Sequence, residues 1–131
     1  MPADESYPDD LKYHPEHDWT RIDADEATLG ITWFAQDALG ERVHYEAPEE
    51  GATVAKGSSY GEVESVKAVS DVIAPLSGEV LEVNSAVVDA PETVNEDPYG
   101  DGWLIRIRLS DPSEVDSLLD AAAYRATLED A

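Results

Sequence analysis

The chain has no cysteine. That excludes a disulfide framework, a thiolate metal site and a cysteine nucleophile, so any redox-active sulfur has to be brought by a cofactor. Basic residues are scarce as well. Eight Lys and Arg stand against 30 Asp and Glu, a formal net charge of −22. Neutralising phosphate needs clustered cations, which argues against nucleic acid as a partner and against an anionic membrane surface. No apolar run approaches the length of a membrane span. The first ten residues are acidic and hold Pro2 and Pro8, without the basic start and apolar stretch of a signal peptide. The expectation is a loose acidic tail over residues 1–10, then one domain over 11–131 of a cytoplasmic protein.

What is present suffices for a core. Hydrophobic residues make up 42%, with three Trp and six Tyr, too many for a disordered acidic chain. The acidity reads as a solubilising shell of the salt-adapted kind, in which counter-ions screen the self-repulsion.

Along the chain the text is mostly strand and turn. Pro15 argues against a helix in residues 11–19. Residues 19–22 and 27–32 read as strands joined by a polar turn over 23–26. Thr32 is placed to cap a short helix over 33–39, with Gly40 just past its end. Residues 42–46, 51–54, 60–66, 68–74 and 78–83 follow as further strands. In 103–109, Trp103, Ile105, Ile107 and Leu109 share one face, and Arg106 and Arg108 the other. A faint repeat, Pro48-Glu-Glu-Gly51 with Val54 and Pro75-Leu-Ser-Gly78 with Val80, brackets Lys67 and suggests two similar half-sheets around one hairpin. The end reads as one helix. Asp111 is its N-cap, Pro112 its first residue and Glu114 lies three after the cap, while Val115, Leu118, Leu119, Ala122 and Ala123 form an apolar face. Many short strands with frequent turns predict a mainly β fold, a sandwich or flattened barrel.

Only Lys12, Lys56 and Lys67 supply lysine. Lys12 and Lys56 read as ordinary solvated charges. Lys67 stands where two β-prone runs, 60–66 and 68–74, meet with no Gly or Pro at the junction. A tight turn there places it at or beside a hairpin tip, held out in solvent above a fixed base. An enzyme could reach that amine and join it to an activated carboxylate as an amide, removing its charge. An arm ending in a five-membered dithiolane would supply the missing sulfur. Its C–S–S–C torsion lies far from the relaxed value of about 90°, so the disulfide opens easily to a nucleophile.

At these residues the chain resembles a known family. Glu64-Ser-Val-Lys-Ala68, then Ser70-Asp71 and Pro75-Leu-Ser-Gly-Glu-Val80, resemble the lipoyl-lysine segment of the glycine cleavage system H proteins. Leu11-Lys-Tyr13 with His17-Asp-Trp19 is similar to their opening motif. Gly30-Ile-Thr32, Ala35-Gln36 and Leu39-Gly40 are similar to their first strand and helix. Pro91-Glu92, Asn95, Asp97-Pro-Tyr-Gly100 and Gly102-Trp103 are similar to a later loop. The likeness spans residues 11–124. It implies a lipoyl/biotinyl-type β-sandwich with a short helix in the N-terminal half and a C-terminal helix. It also implies lipoate attached covalently to Lys67, with Glu64, Ser65, Val66 and Ala68 as the hairpin a lipoate ligase or lipoyl transferase recognises. The implied role is a non-catalytic, monomeric carrier. It would take the aminomethyl group of glycine from a pyridoxal-phosphate glycine decarboxylase to a tetrahydrofolate-dependent aminomethyltransferase, and a dihydrolipoamide dehydrogenase would reoxidise it. By position, Asp18 and Asp71 match acidic residues of a cleft that shelters the loaded arm. A carboxylate beside an ammonium there would stabilise it. Glu16 stands where the family often has a smaller residue.

Rival readings have weaker support. Biotin carriers place methionine on both sides of their lysine, whereas Val66 and Ala68 flank Lys67 and the only methionine is Met1. Lipoyl domains of 2-oxoacid dehydrogenases usually have Asp before the lysine and belong to larger chains. A relay handing lipoyl groups to other complexes stays open. A hydrolase could draw on His14, His17 or His44, but no Gly-x-Ser-x-Gly elbow is present. His14 and His17 have no cysteine to complete a zinc set, and no EF-hand loop pattern occurs.

Overall fold

A computed structural model describes residues 6–40, 42–66 and 68–129. Among the described residues nine strands form two antiparallel sheets that do not close into a barrel. The larger has the spatial order β1 (Lys12–His14), β2 (Asp18–Asp23), β3 (Glu26–Ile31), β9 (Ile105–Leu109), β8 (Gly78–Val83) and β5 (Thr53–Val54). The smaller holds β4 (Arg42–Glu46), β6 (Ser59–Ser65) and β7 (Val69–Ile73). The mainly β sandwich expected from the sequence is the fold observed.

Alternation sets which faces meet. On β9, Ile105, Ile107 and Leu109 are buried. On the opposite face of that strand Arg106 pairs with Glu26 at 2.5 Å and Glu82 at 3.1 Å, and Arg108 lies 3.8 Å from Glu79. The inner face continues through Ala27, Leu29 and Ile31 of β3 and Val80 of β8. It packs with Tyr45, Tyr60, Val63 and Val72 of the smaller sheet. Removing these side chains from water is the main stabilising term of the sandwich. A second cluster of Tyr7, Leu11, Tyr13, Trp19, Tyr99 and Tyr124 packs at the β1–β2 end of the larger sheet. Gly30 is required there, because a Cβ would come within 2.6 Å of the Trp19 indole, which lies across the register Trp19–Gly30.

The first helix, α1 (Trp33–Leu39), is as the sequence predicts. Thr32 Oγ1 accepts a bond from the Ala35 amide, and Gly40 ends the helix at φ 82°. The repeat also has a structural counterpart: Gly51 N–H donates to Val80 O, Val80 N–H donates to Ala52 O, and β5 pairs with β8. The two copies therefore lie side by side across the larger sheet.

Several features add to or differ from expectation. The end of the chain is two helices rather than one. A 3₁₀ helix (Pro112–Ser117) begins at Asp111, and α4 (Ala121–Glu129) begins after Asp120, whose carboxylate accepts from the Ala123 amide at 2.8 Å. Between them Leu119 exchanges backbone hydrogen bonds with Tyr13, a pairing incompatible with a continuous helix. The buried face of α4 is accordingly Ala121 and Tyr124, while Ala122 and Ala123 are exposed. Glu114 does not close a capping box, because its carboxylate accepts from the Ser77 amide and hydroxyl at 2.8 and 3.0 Å. Of the expected tail over 1–10, residues 1–5 lie outside the described residues, and residues 6–8 contact the domain. Tyr7 is buried, Tyr99 O–H donates to Ser6 O at 2.6 Å, and Tyr13 O–H donates to Pro8 O at 2.7 Å. Two short helices, α2 (Ser85–Asp89) and α3 (Thr93–Glu96), were not foreseen.

Candidate functional site

The hairpin of β6 and β7 is built by an antiparallel ladder that shifts register between Ser59 and Gly61 and runs on toward the tip with Val63 opposite Ser70 and Glu64 opposite Val69. It is closed across Ser65 and Ala68. The Ser65 amide donates to Ala68 O at 2.8 Å, and the Ala68 amide donates to Ser65 Oγ at 3.1 Å. The chain between that pair is Val66 and Lys67, and Lys67 itself lies outside the described residues. Of the hairpin residues singled out beforehand, Ser65 is buried and bonded, whereas Glu64, Val66 and Ala68 are exposed. Val66 is 78% exposed and Val69 59%, which leaves an apolar rim on an otherwise acidic surface.

Beside the hairpin lies a cleft of about 200 Å³. Its walls come from the turn before β2 (Glu16, His17), from β2 and β3 (Asp18, Ile31), from α1 (Phe34, Ala35, Ala38) and from the hairpin (Val63, Ser70, Asp71, Val72). The structure thus brings together Glu16, Asp18 and Asp71, the three acids expected to share a cleft. They are not equivalent. Glu16 and Asp71 are exposed, whereas Asp18 is 1% exposed and its Oδ2 has no hydrogen-bond partner among the described residues. Burial pushes the Asp18 carboxyl well above the usual carboxylate range, and the nearby Glu16 adds to the shift. A buried oxygen left without a partner in an open cleft suits an occupant that carries hydrogen-bond donors.

His17 is a wall residue that the sequence had not separated from the other histidines. Its backbone is left-handed, at φ 73°. Its ring lies 4.6 Å from Phe34, and Nδ1 is 2.8 Å from the hydroxyl of Tyr124 on α4. Burial holds its pKa below the usual histidine value against the opposing pull of Glu16. His14 instead accepts the Glu16 amide on Nδ1, and neither His14 nor His44 lines the cleft. Among the described residues no three His, Asp or Glu side chains group as a metal site. No helix among them is long and apolar enough to cross a membrane.

The model of the glycine cleavage H-protein family matches residues 11–131. The chain belongs to the glycine cleavage H-protein family. A glycine cleavage system H protein of a Cyanothece species is 52% identical over 123 residues, covering 94% of this chain and 95% of that one. That of an Escherichia coli strain is 54% identical over 124 residues, covering 94% and 96%. The crystal structure of a glycine cleavage system H protein from Mycobacterium marinum superposes with a TM-score of 0.87 at 44% identity. It covers 93% of this chain and 98% of that one. This H-protein family member is a lipoyl carrier of the glycine cleavage system.

Sequence reading of this H-protein family member missed His17 and Phe34 as parts of one wall and Tyr124 as the buried partner of His17. Tyr124 lies 107 residues from His17 in the chain. The one early signal was that His17 falls inside the opening motif, next to Asp18.

Proposed function

We propose that Lys67 carries lipoate in amide linkage and that the chain, itself non-catalytic, works in the cytoplasm. It takes the aminomethyl group of glycine from the pyridoxal-phosphate decarboxylase to the aminomethyltransferase. The observation that carries this is the hairpin beside the cleft. Ser65 and Ala68 close the ladder, the rim of Val66 and Val69 is exposed, and a pocket lined by Asp18 and Asp71 lies within the same hairpin's reach. The lipoyl group, when bound, supplies the reactive disulfide that a chain without cysteine lacks.

The chain's own residues do the rest. The ladder of β6 and β7 fixes the base of the arm. Glu64, Ser65, Val66 and Ala68 are what a lipoate ligase or lipoyl transferase reads, through a rigid backbone and an apolar rim. Asp71, with Glu16 at the mouth, receives the positive end of the cargo, and the cation brought beside Asp18 favours the ionised form of a carboxyl that burial otherwise keeps protonated above the usual range. Desolvation in the cleft strengthens that pairing. Ile31, Phe34, Val63 and Val72 exclude water around it. The partners follow from the role: the decarboxylase, the transferase and a dihydrolipoamide dehydrogenase, each meeting a monomer of this chain.

Lys67→Arg tests it. Arginine keeps the charge but offers no primary amine for the ligase. The variant should fold as the parent does, and glycine-dependent transfer to tetrahydrofolate should fall to background. Transfer retained by the variant would remove the proposal.

A further inference from the structure

His17 and Tyr124 form a chain of hydrogen bonds whose direction can be worked out proton by proton. Thr32 Oγ1 accepts from the Ala35 amide at 3.3 Å as the cap of α1. It also lies 2.8 Å from the Tyr124 hydroxyl, which in turn lies 2.8 Å from His17 Nδ1. Thr32 is 0% exposed, and its own hydroxyl proton must find an acceptor. The only oxygen within reach among its described contacts is that of Tyr124. Thr32 therefore donates to Tyr124, and Tyr124 spends its single proton on His17 Nδ1. The opposite order leaves the Thr32 proton stranded in the interior, which burial penalises.

The consequence falls on the cleft. With Nδ1 accepting, a neutral His17 carries its proton on Nε2, the one donor left on a ring that lines the pocket. We infer that His17 is a hydrogen-bond donor of the cleft, presenting Nε2–H to acceptor atoms of the arm, with Tyr124 as the positioning residue that fixes its tautomer. This rests on the reading of the cleft as the arm's resting place. It gives the pocket two chemically distinct ends. Asp18 and Asp71 take the cationic cargo, and His17 takes the amide oxygen or sulfur of the arm, which offers lone pairs. The burial that keeps His17 uncharged also keeps it from repelling an ammonium held by the neighbouring carboxylates. The left-handed backbone at His17 agrees with a functional constraint, since histidine is held where asparagine or glycine would be less strained.

The test uses the full chain with ¹⁵N-labelled histidine, first unmodified and then lipoylated, reduced and loaded. In the unmodified chain His17 should be the Nε2–H form, and Tyr124→Phe should shift it measurably toward Nδ1–H. Loading should move the Nε2–H resonance together with the methyl signals of Ile31 and Val63. His17→Asn supplies a readout a structural role would not give. Asparagine suits φ 73° and can still accept from Tyr124, so its melting temperature should equal or exceed the parent's. Yet the cargo should be hydrolysed about tenfold faster, the factor one hydrogen bond supports. That hydrolysis adds water to the carbon–sulfur bond and releases formaldehyde and ammonia with return of the thiol. His17→Gln, whose amide can place an N–H near the Nε2 position, should restore retention to within about twofold of the parent. An Nδ1–H tautomer in the unmodified chain, or glutamine no better than asparagine, would overturn the inference. Methyl signals that move while His17 stays silent would defeat it alone. Methyl signals that also stay silent would defeat the cleft reading beneath it.

Discussion

Asp18 is a buried carboxyl whose protonation couples stability to pH. In the folded state its carboxyl holds a proton to higher pH than in the unfolded chain. Between the ordinary carboxylate range and that raised value the native state binds the extra proton, so stability falls as pH rises through the window. Asp18→Asn is uncharged in both states and removes this fall. The stability of the variant relative to the parent should therefore grow from about pH 4 to pH 7, measured by urea unfolding at each pH. A difference that stays flat would show that the buried carboxyl is not protonated in the fold. The sequence could place Asp18 and Asp71 in one cleft only through the family likeness. The burial that separates Asp18 from the exposed Asp71 is a property of packing between β2 and the hairpin, and no local pattern encodes it.

Among the elements, α1 was legible because both of its ends are written locally, with Thr32 as cap and Gly40 as stop. The β6–β7 hairpin was legible because two β-prone runs meet at one junction. The last helix was not, since its break depends on Leu119 pairing with Tyr13 across 106 residues of chain, while its spacing alone reads as continuous. The helices α2 and α3 hold five and four residues, fewer than a helical period needs to declare itself. Two substitutions test these elements. Asp120→Ala removes the cap that restarts α4 and should cost about 1 kcal/mol in denaturant unfolding. Gly78→Ala places a Cβ within 2.2 Å of the Arg108 carbonyl on β9. Backbone cannot yield as a side chain can, so the loss should be larger, about 3 kcal/mol or more.

The whole molecule carries a charge of −22, and the small sheet concentrates like charges. Glu62 lies directly opposite both Glu46 and Asp71 in the register, a row of three acids across three strands. Like charges facing one another across strands are destabilising, and salt screens them. The melting temperature should rise by at least about 5 °C from low to molar salt, and a flat response would argue against the acidic shell as a salt adaptation. At this scale the acidity was legible in composition alone, whereas the exposed apolar pair Val66 and Val69 stands out only in the folded hairpin. The proposed role rests on Lys67, which follows Val66 in the chain. Peptide mapping by mass spectrometry of the chain produced in its native host is the most direct measurement. A lipoyl amide on Lys67, with Lys12 and Lys56 bare, is the predicted result, whereas an unmodified Lys67 would contradict it.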